Sequence, residues 1–305
     1  MYDVALAFGD SITQRGYEYE NSGWLTHLSN RYTRRMDILN RGFSAYNTAW
    51  AREVAPVVFP LRRDNLAKSS STKSSSSSAS SGGLSKRTEN TKETLLELHT
   101  TKSKWPSPDA TYPWFYPKVQ LCILFFGAND AADPRDYRHI SLSNYTKNLR
   151  YMVNMLHNAE SAHYSPDTRV LIVTPPAVGE KMTEEQFNNR GWTYNPHNNT
   201  VAKMYAEAAI EVAKDMNLPF VDIWTAIERR VQKSNKHRPV LIRNSTFSAE
   251  IDPNAIKRIE VDDGKDYDGY DEFLTDGLHL NSNGNELLFE LVATTIGKNW
   301  PELLP

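Results

Sequence analysis

The chain has 305 residues and a formal net charge of −2 at pH 7, so neither nucleic acid nor an anionic membrane surface is expected as its main partner. Hydrophobic residues make up 39% and charged residues 24% of the sequence, as in ordinary soluble proteins. No stretch approaches the ~20 apolar residues of a membrane span, and no signal-peptide pattern opens the chain. The single cysteine, Cys122, lies in an apolar run, so we expect a buried thiol and a cytoplasmic protein.

Five short segments are predicted to be buried β-strands. The central ones are continuous apolar runs rather than alternating patterns, which is typical of parallel strands that are covered on both faces. In chain order the predicted strands are Val4–Phe8, Asp37–Asn40, Val119–Phe126, Arg169–Thr174 and Phe220–Ile223.

Helical patterns lie between and after these strands, with apolar residues at the three- and four-residue spacing of an amphipathic helix. The predicted helices are Trp24–Arg34, Ser143–His157, Val201–Met216 and Asn285–Asn299. Strands that alternate with helices predict an α/β fold, a three-layer α/β/α sandwich around a doubly wound, mainly parallel five-stranded sheet.

Two polar insertions interrupt a single domain that is expected to span residues 1–305. The first, about 62–104, contains an almost pure serine tract at 69–81 and is expected to be a disordered surface loop. A phosphorylation or docking role for it stays open. The second, about 234–272, ends in an acidic run whose spacing does not match a calcium-binding loop. No His/Cys cluster has zinc-site spacing either, so no metal is predicted.

Ser11 is the first candidate for chemistry. It follows the first predicted strand in the motif Gly9-Asp10-Ser11, where Gly9 permits a sharp turn at the strand end. Ligands bind at the carboxyl ends of the strands in open α/β folds, which makes Ser11 a candidate nucleophile. A serine needs a base, a group that orients the base, and donors for an oxyanion.

His279 and Asp276 supply a candidate base and its orienting group. They lie three residues apart in Asp276-Gly277-Leu278-His279, just before the last predicted helix. On a tight turn the carboxylate can accept a hydrogen bond from Nδ1 and leave Nε2 to take the serine proton. By itself, an Asp-x-x-His sequence equally fits a turn-capping acid and a structural histidine.

Asn129 and Gly42 supply candidate oxyanion donors. Asn129 follows the third predicted strand in Gly127-Ala128-Asn129-Asp130, and Gly42 follows the second. The amide of Asn129, the N–H of Gly42 and the N–H of Ser11 could stabilise a developing negative charge. Ordinary turn chemistry is the alternative for each of them.

Taken in order, the four blocks around Ser11, Gly42, Asn129 and Asp276-Gly277-Leu278-His279 resemble those of the SGNH (GDSL-type) hydrolases. The similarity covers most of the chain, and residues 36–43 and 126–131 resemble the isoamyl acetate-hydrolysing esterase branch. The resemblance implies a flavodoxin-like fold, with Ser11 as nucleophile, His279 as base and Asp276 orienting it. It also implies an oxyanion hole of Ser11, Gly42 and Asn129.

The expected function is a serine esterase that hydrolyses short-chain, acetate-type carboxylic esters without a cofactor. The partner is a small-molecule ester, and the oligomeric state stays open. A lysophospholipase, thioesterase or sugar O-acetyl esterase on the same fold is the alternative within the enzymes. A binding or scaffold protein that retains the fold is the alternative of another class. Ile12 departs mildly from the family's leucine and touches no catalytic group.

Overall fold

The computed structural model describes residues 3–62, 118–237 and 268–305. The strands in these ranges are β1 (Asp3–Gly9), β2 (Met36–Gly42), β3 (Val119–Phe125), β4 (Arg169–Val173) and β5 (Phe220–Val221). They form one all-parallel sheet in the order β2-β1-β3-β4-β5. This is the flavodoxin-like order, in which the connections reverse direction between β1 and β3.

Eight α-helices lie in the described ranges. They are α1 (Ser11–Gln14), α2 (Trp24–Arg31), α3 (Thr48–Val58), α4 (Leu142–His157), α5 (Glu180–Asn189), α6 (Asn199–Asp215), α7 (Ile223–His237) and α8 (Ser282–Asn299). Short 3₁₀ turns occupy Arg15–Tyr17, Tyr270–Glu272 and Pro301–Leu303.

The sheet separates two apolar cores. Because successive strand residues point to opposite faces, Ala5 and Ala7 of β1 join one core, and Leu6 and Phe8 join the other. Helices α2, α7 and α8 pack on the first face, whereas α3, α4 and α6 pack on the second. The predicted three-layer α/β/α sandwich is therefore confirmed. Cys122 is fully buried in β3 as a free thiol.

Four helices, α1, α3, α5 and α7, lie where no helix was predicted. The last of them also changes a boundary: the second insertion was expected to begin near 234, but α7 continues to His237. Residues 63–104 of the first insertion and 238–267 of the second lie outside the described residues. Across the three described ranges, no helix combines the length and the apolar character that crossing a lipid bilayer requires.

Candidate active site

Ser11 is placed by a tight turn between β1 and α1. Asp10 caps α1, because its Oδ1 accepts a hydrogen bond of 2.9 Å from the N–H of Ile12. Gly9 is required at the strand end, since a Cβ there would lie 2.0 Å from Oγ1 of Thr13 and 2.5 Å from the carbonyl oxygen of Phe125. The turn leaves Ser11 as the first residue of α1, at the carboxyl edge of the sheet, with only 8% of its surface exposed.

His279 and Asp276 meet Ser11 from the other end of the chain. Nε2 of His279 lies 2.9 Å from Oγ of Ser11, and its Nδ1 lies 2.8 Å from Oδ2 of Asp276. The turn that carries them passes through Gly277, whose φ of 86° lies in the left-handed region where a side chain is strained. A Cβ at Gly277 would also lie 2.5 Å from the carbonyl oxygen of Gly179. The structure thus brings together the three residues that the sequence proposed as a triad.

The carboxylate of Asp276 is held ionised. Burial raises its pKa, but hydrogen bonds from His279 Nδ1 and from the N–H groups of His279 and Leu278 outweigh burial and hold the pKa well below 3.8. The two backbone bonds, 2.9 Å and 3.1 Å, both go to Oδ1, which leaves Oδ2 for the ring. With a proton on Nδ1 shared with Oδ2, the lone pair of Nε2 faces Ser11.

Asn129 is fixed beside this triad, after β3. It is 2% exposed, and its Nδ2 donates to the carbonyl oxygen of Tyr46 at 3.0 Å. On its other side Nη1 of Arg138 reaches Oδ1 at 3.5 Å, which assigns the orientation of the amide. Since an amide nitrogen carries two hydrogens, the second remains for a ligand in the cleft that Asn129 and Ser11 both line.

Gly42 has a different task from the one that the sequence suggested. Its N–H donates to Oδ1 of Asn40 at 2.8 Å, so this hydrogen is already engaged, and Gly42 does not line the cleft. The residue must be small for a packing reason: a Cβ at Gly42 would lie 2.0 Å from the backbone nitrogen of Gln14. Gly42 lets β2 approach the helix that carries Ser11. The prediction of Gly42 as an oxyanion donor is therefore corrected: it is a packing residue.

Ala45, which was not among the predicted site residues, offers a backbone N–H beside Ser11 and Asn129. Ala45 lines the cleft with Ser11 and Asn129. The neighbouring amides are engaged, because the N–H of Ser44 donates to Oε1 of Gln14 at 2.8 Å and that of Tyr46 donates to the Phe43 carbonyl at 3.1 Å. The N–H of Ala45 has no acceptor among the described residues. Its φ of 64° is rare for a residue with a side chain, a conformation that the sequence does not reveal.

Two buried carboxyls lie beneath the loops that carry Ser11 and Asn129. Burial raises the pKa of Asp10 and of Asp130 to about 7 each. Asp130 accepts hydrogen bonds from the N–H of Thr48, at 3.0 Å, and from its hydroxyl, and Asn148 donates to that hydroxyl at 2.9 Å. These bonds tie the Asn129 loop to α3 and α4. Both aspartates therefore shape the turns around the site.

The cleft itself has a volume of about 230 Å³. Helix α5 and the segment after it form part of its lining, through Thr183, Phe187 and His197. The rings of Phe187 and Trp192 pack edge to face at 5.0 Å. Burial, aided by the charge of Arg138, lowers the pKa of His197 to about 4, so this imidazole is neutral at pH 7.

A larger cavity, about 530 Å³, lies at the opposite edge of the sheet. It is lined by residues at the amino ends of strands, such as Asp3 and Arg169, whose charges are engaged in the structure. Arg169 pairs with Glu302 at 2.5 Å, and Asp3 accepts from Gln120 at 2.7 Å. We place the chemistry in the smaller cleft, which holds the Ser11 and His279 pair. Among the described residues, no group of three His, Cys, Asp or Glu side chains is placed to hold a metal ion.

Comparison with known proteins identifies the family of the chain. The profile of the family described as GDSL-like Lipase/Acylhydrolase matches residues 6–292. The chain is 29% identical to the isoamyl acetate-hydrolyzing esterase 1 homolog of Homo sapiens, over 98% of this chain and 85% of that protein. It is 27% identical to a GDSL esterase/lipase of Arabidopsis thaliana, over 94% of this chain and 82% of that protein.

A solved structure shares the fold. The crystal structure of a GDSL-like lipase from Parabacteroides merdae superposes with a TM-score of 0.52 at 14% identity, covering 97% of this chain and 95% of the other. The family match spans nearly the whole chain and includes every block from Ser11 to His279. The chain belongs to the GDSL-like lipase/acylhydrolase family and is a carboxylic ester hydrolase of that type.

Proposed function

We propose that the protein hydrolyses short-chain, acetate-type carboxylic esters through an acyl-enzyme on Ser11. The observation that carries the proposal is the continuous chain of contacts from Asp276 through His279 to Ser11, at 2.8 Å and 2.9 Å. This is the arrangement that turns a weak hydroxyl nucleophile into a reactive one.

In the first step Oγ of Ser11 attacks the ester carbonyl while Nε2 of His279 takes the hydroxyl proton. Asp276 stabilises the imidazolium that results. The tetrahedral oxyanion is held by the N–H of Ser11, the N–H of Ala45 and the amide of Asn129. Each such donor lowers the barrier by about 3 kcal/mol in enzymes where it has been removed.

In the second step His279 gives its proton to the leaving alcohol. Water then attacks the acyl-enzyme, with His279 again as base, and Ser11 is released. Each proton passes through His279, which exchanges it with Ser11, the leaving alcohol or water, so the proposed cycle uses no cofactor.

The small cleft supports a short acyl group. Its volume of about 230 Å³ is below the ~300–1,000 Å³ of pockets that enclose drug-sized ligands. The isoamyl acetate-hydrolyzing relative points to the same substrate class. We include in the proposal a single domain over residues 1–305 and a reducing, cytoplasmic setting, which the buried, unpaired Cys122 supports.

A chain-length series tests the substrate class. Hydrolysis of 4-nitrophenyl esters from acetate to palmitate should be fastest for the shortest acyl chains in the wild-type protein, and Ser11→Ala should hydrolyse none of them above background. A maximum at long chains would overturn the short-acyl assignment and favour a lysophospholipase-like enzyme.

A further inference from the structure

The cleft beside Ser11 is basic. Arg15, Arg138 and Arg190 line it, and the acidic residue in its lining is Asp276, whose carboxylate is already bonded to His279 and to the Leu278 N–H. A neutral acyl or alcohol group has no need of this excess of positive charge.

Arg138 is engaged within the protein. Its Nε and Nη2 bind the two oxygens of Asp136 at 2.8 Å and 2.6 Å, and the Asp136 side chain is completely buried. Its Nη1 reaches the amide oxygen of Asn129 at 3.5 Å. The guanidinium of Arg138 therefore helps to position Asn129 and has few N–H donors left for a ligand.

Arg15 and Arg190 make only weak contacts with other side chains of the described residues. Nε of Arg15 lies 3.6 Å from Oε1 of Glu18, and the two side chains are 42% and 43% exposed. Nη2 of Arg190 lies 3.4 Å from Oε1 of Gln186, with no carboxylate in ion-pair contact among the described residues. Both distances exceed those of a strong hydrogen bond, and an exposed ion pair contributes little. Because a guanidinium carries five N–H groups, most donors of both arginines remain for a ligand.

The two arginines reach the cleft from separate elements. Arg15 follows α1, which begins with Ser11, and Arg190 follows the last residue of α5. We propose, on the basis of the proposed function above, that the natural ester carries an anionic oxygen-acid group, a carboxylate or a phosphate, that Arg15 and Arg190 bind while Ser11 attacks the carbonyl. The planar guanidinium fork matches both of these anions.

The test compares charged and neutral esters that share one acyl group. 4-Acetoxybenzoate is the carboxylate probe, 4-acetoxyphenyl phosphate is the phosphate probe, and methyl 4-acetoxybenzoate is the neutral reference. A second pair, mono(4-nitrophenyl) adipate and its methyl ester, places the charge on the acyl side.

The measured quantity is the ratio of kcat/KM for the charged ester to kcat/KM for its neutral partner. It is measured in the wild type, in Arg15→Gln and Arg190→Gln, and in the control Arg150→Gln. Arg150 pairs with Asp215 on the protein surface, away from the cleft.

The wild-type protein should favour the charged member of at least one pair, and the ratio should fall roughly tenfold in Arg15→Gln and in Arg190→Gln, through KM. It should stay unchanged in Arg150→Gln. Comparing ratios between variants cancels the intrinsic reactivity of each ester and any general loss of activity. The preference should also weaken at high ionic strength. A wild-type preference for the neutral ester in every pair, or ratios that are equal in all four proteins, would overturn the inference. Ser11→Ala separates the two proposals, since hydrolysis that survives in that variant contradicts the proposed function instead.

Discussion

Oγ of Ser11 lies 2.9 Å from Nε2 of His279, although 268 positions separate the two residues. Ser11 begins the first helix of the chain, and His279 precedes the last one. Their contact therefore forms only when β1 and the segment before α8 are both in place.

Replacing Asp276 with Asn should lower kcat by roughly 10³–10⁴-fold. The N–H groups of Leu278 and His279 both donate to Oδ1, so an asparagine must keep its carbonyl oxygen there and turn its NH₂ toward Nδ1. Nδ1 must then accept, which moves the ring proton to Nε2 and removes the base. Steady-state kinetics of Asp276→Asn, with a thermal melt to confirm folding, checks this. A loss of less than tenfold in a folded variant would contradict the role of Asp276.

Replacing Asn129 with Ala should lower kcat by about 10²–10³-fold with a smaller change in KM, because the amide would act mainly on the transition state. Asn154→Ala, at an exposed position of α4, is the matched control and should retain wild-type kinetics. A loss in Asn129→Ala that appears only in KM would place Asn129 in ground-state binding rather than in the oxyanion hole.

Replacing Ala45 with Gly should stabilise the protein by about 1 kcal/mol, because the φ of 64° at Ala45 costs a residue with a Cβ about that much. The N–H is retained, so esterase activity should persist. Ala226→Gly, inside α7, is the opposite case and should destabilise by about 1 kcal/mol. Urea denaturation of both variants measures the two changes. An Ala45→Gly variant that is less stable than wild type would argue against the left-handed turn.

Asp10 should make stability depend on pH. Burial raises its pKa to about 7 from 3.8, so between these values the native state holds a proton that the unfolded chain has lost. Its contribution to stability is complete below pH ~4 and falls as the pH rises toward 7. Asp10→Asn keeps an acceptor for the Ile12 N–H but cannot titrate. The free energy of unfolding of wild type minus that of Asp10→Asn should therefore decrease from pH ~4 to ~8. A difference that stays constant or increases with pH would contradict the raised pKa.

Much of the fold was predictable because its signals are local. The central strands are apolar runs, and α4 and α6 carry clear amphipathic spacing. Helix α7 carries the same signal, with Ile223, Ile227 and Val231 four residues apart and all buried, and could have been found. Helix α3 contains Pro56, which normally argues against a helix. Helix α5 buries only Met182 and Thr183, so its sequence has little periodicity to detect.

The part of the candidate site that consists of reactive side chains was predictable from the sequence. Ser11, Asn129, Asp276 and His279 stand out because each has a functional group at a turn. The second backbone donor was assigned to Gly42, whose N–H donates to Asn40, and Ala45 was missed, because a backbone N–H leaves no mark in the sequence. Asn40 accepts the N–H of Gly42, and Gln14 accepts that of Ser44. The N–H of Ala45 stays free of any acceptor among the described residues, in a turn with a left-handed φ, and the sequence shows none of this. Arg15 and Arg190 were also missed, since only the folded chain brings α1 and α5 to one cleft.

Covalent labelling tests the central claim most directly. A fluorophosphonate reacts with a serine that is activated as a nucleophile, and mass spectrometry of the digested protein locates the adduct. We expect one phosphonyl group, on the peptide that contains Ser11, together with loss of ester hydrolysis. Ser11→Ala should take up no label, and His279→Ala should label far more slowly. An adduct on another residue, or full hydrolytic activity in Ser11→Ala, would contradict the account.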